Sequence, residues 1–234
     1  MRIVTWNCHG AFRKKYLELE KLNADVYVIQ ECEDPNHVRH EGYREWSSGG
    51  IWTGANRNKG LGIFSPTPEK LGYLSWPASI YELFLPCSFG NQLNVLGVWT
   101  KQANSPNFAY IGQFWRYLQD NWPRFVESPL IIAGDFNSNS RWDEWDRWWN
   151  HSDVVNQLAS LGIESLYHRC TGEAQGEEIQ PTFFMHRRIS RPYHIDYLFA
   201  SQSLLARVVD FKVHDDPAWL ELSDHLPISL ELRL

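Results

Sequence analysis

The chain has little of what would commit it to a membrane, a disulfide scaffold or a uniformly basic surface. Its 234 residues contain four cysteines, Cys8, Cys32, Cys87 and Cys170, with no paired spacing. Scattered thiols signal neither a zinc site nor a disulfide framework, so reduced cysteines in a cytoplasmic protein are expected. Apolar runs are short, and none approaches the roughly 20 residues of a membrane span. Met1-Arg2 leads directly into the strand-like Ile3-Val4-Thr5-Trp6, so no cleavable leader is expected. No repeat, low-complexity tract or Pro/Gly/Ser linker divides the sequence, which predicts one domain over residues 1–234. Basic residues number 22 against 28 acidic ones, a formal net charge of -6. That balance argues against a generally basic, non-specific grip on nucleic acid, while leaving room for a local basic groove.

Against these absences stands Leu130-Ile131-Ile132-Ala133-Gly134-Asp135-Phe136-Asn137. Its apolar, mostly β-branched run predicts a buried strand that stops at Gly134 and delivers Asp135 and Asn137 to its C-terminal end. Open α/β sheets carry their chemistry at that edge. A carboxylate and a carboxamide two residues apart suit a hydrated metal and a phosphate oxygen, although the same pair also serves in turns and helix caps.

Earlier in the chain, Ile3–Trp6 ends at the polar turn Asn7-Cys8-His9-Gly10. Phe12, Tyr16, Leu19 and Leu22 then recur at helical spacing, predicting an amphipathic helix. A strand through Ala24–Gln30 follows and presents Glu31 at its end. A right-handed crossover would set Asn7 and Glu31 on the same side of a sheet. Short strands are predicted at 50–53, 61–64, 81–85 and 93–99, with a hairpin loop over Asn56–Gly60. A helix is predicted over Phe108–Phe125, and further strands at 194–199 and 228–232. Two βα-type halves with antiparallel strands between them imply two sheets packed face to face and covered by helices.

Two stretches have an open reading. Trp142, Trp145, Trp148 and Trp149 sit three to four apart, as on a helix that buries an aromatic face. The alternative is a stacking platform for bases or sugars. The most basic patch, Met185–Pro192, carries Arg187, Arg188 and Arg191. It is either a solvated loop or a phosphate contact beside the strand that begins near Asp196.

Asn7, Glu31, Asp135, Asn137, Asp196, Asp224 and His225 each fall at a predicted strand end or in the loop leaving it. Several carboxylates on one rim repel one another unless a cation or hydrogen bonds offset the charge. Oxygen-rich ligands with little sulfur favour Mg²⁺ or Mn²⁺ over zinc.

In this order the sequence resembles the endonuclease/exonuclease/phosphatase superfamily, which includes DNase I-like and exonuclease III-like nucleases and inositol polyphosphate 5-phosphatases. The matching pieces are TWN at Thr5–Asn7, IQE at Ile29–Glu31, GDFN at Gly134–Asn137, HIDY at His194–Tyr197 and SDHLP at Ser223–Pro227. The resemblance implies a four-layer α/β/β/α sandwich of the DNase I-like kind and Mg²⁺-dependent phosphoester hydrolysis. It implies Glu31 as the main metal ligand, with Asn7 beside it and Asp224 contributing. Asp135 would prepare the attacking water or serve the leaving oxygen as acid. Asn137 would hold a phosphate oxygen, His225 would contact the scissile phosphate, and Asp196 would orient a histidine. Which histidine is open.

One position departs from the pattern. Relatives commonly carry a His or Tyr where this chain has Trp99, and an indole is a donor only. Tyr110 or Lys101 could substitute. A monomeric DNA nuclease is the first expectation, because the arginines of the basic loop lie near the Asp196 strand. A phosphatase or phosphodiesterase on a small or lipid-linked phosphate is the second. A binding module that has kept the fold and lost catalysis is the third.

Overall fold

A computed structural model of the chain describes residues 1–78, 81–90, 93–102 and 108–233. Strands β1 (Arg2–Asn7), β2 (Val26–Cys32), β3 (Ile51–Asn56) and β4 (Lys59–Phe64) come first. They are followed by β5 (Leu71–Tyr73), β6 (Phe84–Phe89), β7 (Leu93–Trp99) and β8 (Leu130–Asp135). The remainder supplies β9 (Ile163–Ser165), β10 (Phe183–Phe184), β11 (Pro192–Tyr193), β12 (Asp196–Ser201), β13 (Val208–Val213) and β14 (Ile228–Leu232). One six-stranded sheet has the order β13-β14-β1-β2-β4-β3 and the other β5-β6-β7-β8-β12-β9, with β10 and β11 forming a small ribbon. The parallel pairs β1–β2 and β7–β8 are the crossover units, and each holds a strand whose end the sequence marks as chemical.

Alternation along the strands explains the layering. Val26 and Val28 of β2 face a core shared with Ile131 and Ala133 of β8, between the two sheets. Tyr27 and Ile29 face outward onto Phe12, Tyr16, Leu19 and Tyr43, which belong to the segment before β2 and to helix α2 (Glu41–Trp46). Leu130 and Ile132 face the other way, onto Phe114 and Leu118 of helix α3 (Ile111–Val126) and Val154 and Leu158 of helix α4 (His151–Ser160). A strand buried on both faces reads as a continuous apolar run, which is how β8 reads in the sequence. The architecture is therefore helix, sheet, sheet, helix, the DNase I-like arrangement. Among the described residues no helix is long and apolar enough to cross a membrane.

Three local expectations need correction. The amphipathic helix after β1 is broken into a 3₁₀ turn, Phe12–Lys14, and a short helix α1, Tyr16–Glu20, because Ala11 and Lys15 have non-helical backbones. The strand expected over 81–85 begins at Phe84 instead and runs to Phe89, held by β7 on one side and β5 on the other. The tryptophan stretch is no helix. After a 3₁₀ turn at Ser140–Trp142 it folds around Asn150, whose side chain bonds the backbone of Glu144 and Arg147. Trp145 is 96% exposed and Trp148 62% exposed, so the buried aromatic face is absent as well.

Candidate active site

Gly134 decides how β8 delivers its acid. A Cβ at this position would lie 1.8 Å from the Val98 carbonyl oxygen, so only glycine lets β8 lie this close to β7. Asp135 follows, in register with Trp99 on β7 and with Asp196 on β12. Its carboxylate is fully enclosed and heavily bonded. Asn7 Nδ2 donates to Oδ2 at 2.9 Å, Asn137 Nδ2 to the same oxygen at 2.9 Å, and the Asn137 backbone N–H to Oδ1 at 2.8 Å. Asn137 achieves this in a left-handed conformation, φ 45°, which asparagine tolerates better than most residues.

Asp196 faces His225, not His194. His225 Nδ1 lies 2.9 Å from Oδ2 and 3.1 Å from Oδ1 of Asp196, and Thr182 Oγ1 donates to Oδ2 at 2.7 Å. His194 Nδ1 instead donates to the Gln180 carbonyl at 2.8 Å. The His225 backbone is fixed from both sides. Ser223 Oγ accepts its N–H while donating to the Asn7 carbonyl, and Trp6 Nε1 donates to the His225 carbonyl. The chain's two ends are thereby joined at this site. Asp135, Asp196 and His225 present ligand-type atoms within 4.8 Å of one another, a group that could hold a metal ion.

Burial and the neighbouring Asp196 charge push the Asp135 carboxyl above the usual carboxylate range, against the opposing influence of His225 and of the Asn7 and Asn137 hydrogen bonds. For His225, burial disfavours the imidazolium, but Asp196 and Asp135 outweigh it and raise the pKa to about 9. At neutral pH the geometry is thus a cationic imidazole clasped by one carboxylate, beside a second carboxylate of raised basicity.

The other half of the rim is looser. Glu31 sits at a bulge where β2 loses register with β4, with a left-handed φ of 62° that is strained for a glutamate. Its Oε2 is met by Lys59 Nζ at 2.6 Å. Asp224 Oδ1 is buried without a hydrogen bond, although the His9 ring nitrogen lies 3.0 Å away. Asn7 connects the halves, since its Oδ1 accepts the His9 N–H while its Nδ2 reaches Asp135.

Trp99 closes β7, is 8% exposed and packs in the core between the sheets. Lys101 lies over its ring at 5.8 Å, and Tyr110, 41% exposed, precedes α3 and bonds the Lys101 carbonyl through its backbone N–H. The basic loop abuts the site through the backbone, as Phe184 N–H donates to the Asp224 carbonyl. Arg187 donates to the Glu221 and Leu222 carbonyls at 3.2 and 3.4 Å, while Arg188 and Arg191 are exposed. Sequence reasoning did not single out Thr182, Lys59, His9 or Phe183, whose ring lies 4.5 Å from that of His225. Only tertiary folding brings them here.

The model of the Endonuclease/Exonuclease/phosphatase family matches residues 4–225, and the chain belongs to that family, whose members are phosphoric ester hydrolases of the nuclease and phosphatase kind. Solved structures share the fold over the whole of both chains. An AP endonuclease from Archaeoglobus fulgidus superposes with a TM-score of 0.75 at 18% identity. A 3′ phosphatase from Neisseria bound to product DNA hairpin gives 0.76 at 19%, and a 3′-5′ exonuclease from Neisseria meningitidis gives 0.73 at 19%. A comparison with curated protein sequences finds no match.

Proposed function

We propose that the chain is a Mg²⁺- or Mn²⁺-dependent phosphodiesterase that hydrolyses DNA by in-line attack of water. The observation that carries this reading is the enclosed Asp135–Asp196–His225 group tied to Asn7. Asn7, Glu31 and Asp224 would hold the metal. The fit rests on their all-oxygen donor set and on the buried Asp224 Oδ1, which accepts no aligned hydrogen bond although the His9 ring nitrogen lies 3.0 Å away. A bound divalent ion supplies charge neutralisation of the phosphate and of the leaving oxygen. The protein's own groups do the rest. Asp135, its basicity raised, takes a proton from the attacking water, positioned by the amides of Asn7 and Asn137. His225, kept protonated by Asp196, donates to a non-bridging phosphate oxygen. Asn137, whose amide N–H groups go to Asp135 and the Thr100 carbonyl, would have to release the Thr100 carbonyl to hold a second phosphate oxygen. Thr182 fixes Asp196 so that the imidazole holds its orientation.

With Trp99 in place of an acid, protonation of the leaving oxygen falls to Asp135 or to water. Arg187, Arg188 and Arg191 supply a local positive edge for the DNA backbone. The unit is read as a single domain over 1–234 that works as a monomer in the cytoplasm, a setting that suits its free cysteines. The net charge of -6 favours, as second reading, a phosphatase on a small phosphate, which needs no extended basic surface.

The test is hydrolysis with Mg²⁺ or Mn²⁺, with an EDTA control, of plasmid DNA, an abasic-site duplex, single-stranded DNA, RNA, an inositol polyphosphate and a small bis-phosphodiester. Cleavage of DNA that EDTA abolishes is expected. Turnover confined to the inositol polyphosphate would transfer the protein to the phosphatase reading.

A further inference from the structure

The tryptophan loop carries exposed aromatic surface that neither the fold nor the hydrolytic chemistry uses. Trp145 is 96% exposed and Trp142 41% exposed, in a chain that buries most of its other large rings. Apolar surface of this kind, left in water beside a site, marks a contact region. Trp142, three residues before Trp145, is continuous with the active site through ring contacts. Trp142 packs on Tyr193 at 5.3 Å between centroids, Tyr193 on Phe183 at 6.2 Å, and Phe183 on His225 at 4.5 Å.

The loop is also rigid. Arg147 donates to the Trp142 carbonyl at 2.7 Å and to Asn150 at 2.7 Å, and Asp143 turns inward to accept the His151 and Ser152 N–H groups. Arg141 is tethered through its Nε to the Gly176 carbonyl. Both arginines are tethered to the protein, and the exposed Glu144 and Asp146 set two negative charges against the exposed Arg141. A phosphate gains little on such a loop. A base, which offers a π-face, stacks on an indole whatever the charge around it.

We propose that Trp142 and Trp145 form a stacking ridge for the unpaired bases of a DNA strand whose phosphate lies at His225. The preferred substrate is then single-stranded DNA, or a duplex end with an unpaired strand, over continuous duplex. This rests on the nuclease reading above. A duplex offers the ridge a free base face only at its ends; an unpaired strand offers one at every nucleotide.

The experiment measures binding of a fluorescein-labelled single-stranded DNA and of a blunt duplex by anisotropy, in EDTA and across a KCl series, with turnover of a small bis-phosphodiester in Mn²⁺ as the measure of chemistry. Trp145→Ala changes a side chain that is almost wholly in water, so folding is not at issue. It should weaken single-strand binding about tenfold, the size of one lost base–aromatic stack, with the salt slope, the duplex affinity and the diester turnover unchanged. Trp142→Phe should retain most of the binding that Trp142→Ala loses. Arg187→Ala/Arg188→Ala should behave oppositely, flattening the salt slope for both DNA forms. Unaltered single-strand affinity in Trp145→Ala overturns the ridge while leaving the nuclease reading standing. Wild-type protein that turns over the small diester but binds neither DNA overturns both.

Discussion

On the β8–β12 half of the rim every carboxylate oxygen of Asp135 and Asp196 accepts a hydrogen bond, whereas on the β1–β2 half Glu31 meets one half-exposed lysine and Asp224 Oδ1 has only the His9 ring nitrogen, 3.0 Å away and out of hydrogen-bond alignment. Both halves hold acids at strand ends, and both are reached by a parallel crossover. They differ in what balances the charge. The first half is balanced internally, by amides, a threonine and an imidazolium, and is organised before anything binds. The second has only the half-exposed Lys59 at Glu31 and the misaligned His9 ring at Asp224, and Glu31 also carries backbone strain. An organised half can position water and phosphate without reorganisation. A half with loosely held counter-charges is one where a divalent ion gains most by replacing them.

Damage to the organised half should therefore abolish chemistry without altering metal affinity. Asp135→Asn keeps the volume but faces the amides of Asn7 and Asn137 with a third amide in place of their acceptor. DNA hydrolysis should fall by about 10²–10⁴, with Mn²⁺ binding by calorimetry close to that of the wild type. Activity within a few-fold of the wild type would remove Asp135 from the mechanism.

Damage to the other half should do the reverse first. Glu31→Gln should weaken Mn²⁺ binding about tenfold or more and suppress the rise in melting temperature that Mn²⁺ gives the wild-type protein. Lys59→Met supplies the complementary change. With its resident cation gone, Glu31 should bind Mn²⁺ several-fold more tightly. If Lys59→Met weakens the metal instead, the lysine supports the site rather than competing for it.

Much of this contrast was legible before folding, and the illegible part has identifiable causes. The β8 run is readable because both its faces are buried, and Asp135 because that run carries it to the strand's last position. Gly134, expected to stop the strand, lies inside it instead, opposite Val98 and Tyr197. Asp196 and His225 could each be suspected, but their pairing could not be chosen, since β12 and the segment before β14 meet only through the tertiary fold. Thr182 belongs to no pattern; a lone threonine before two phenylalanines looks like any other strand residue. Lys59 reaches Glu31 across the antiparallel β2–β4 pair, at a bulge the sequence does not announce. The tryptophan loop misleads for a specific reason. Its spacing mimics a helix, but Asn150 supplies the backbone partners that helical hydrogen bonds would otherwise provide.

The smallest effect expected is a slope of stability with pH, and it reports on the organised half alone. His225 has a folded pKa of about 9 against an ordinary value of 6.5. A group raised in this way stabilises the fold fully below pH 6.5, and the contribution is lost as pH rises through 9, because the folded state holds a proton that the unfolded state has released. Asp135 acts with the same sign but in a lower range, from the ordinary carboxylate value upward. His151 and His214, both lowered to about 4 by burial, act with the opposite sign and only below pH 6.5. Between pH 7 and 8 the imidazolium on Asp196 is therefore the main contributor; above pH 8 the buried thiols of Cys8, Cys32 and Cys87, raised by burial, add to the decline with the same sign. In EDTA, the melting temperature of the wild-type protein should fall between pH 7 and 8, and His225→Asn should flatten the decline while lowering the melting temperature at pH 7. A slope unchanged in His225→Asn would mean that the Asp196–His225 pair is not the charged clasp that its geometry describes, and the difference between the two halves of the rim would then lie in hydrogen bonding alone.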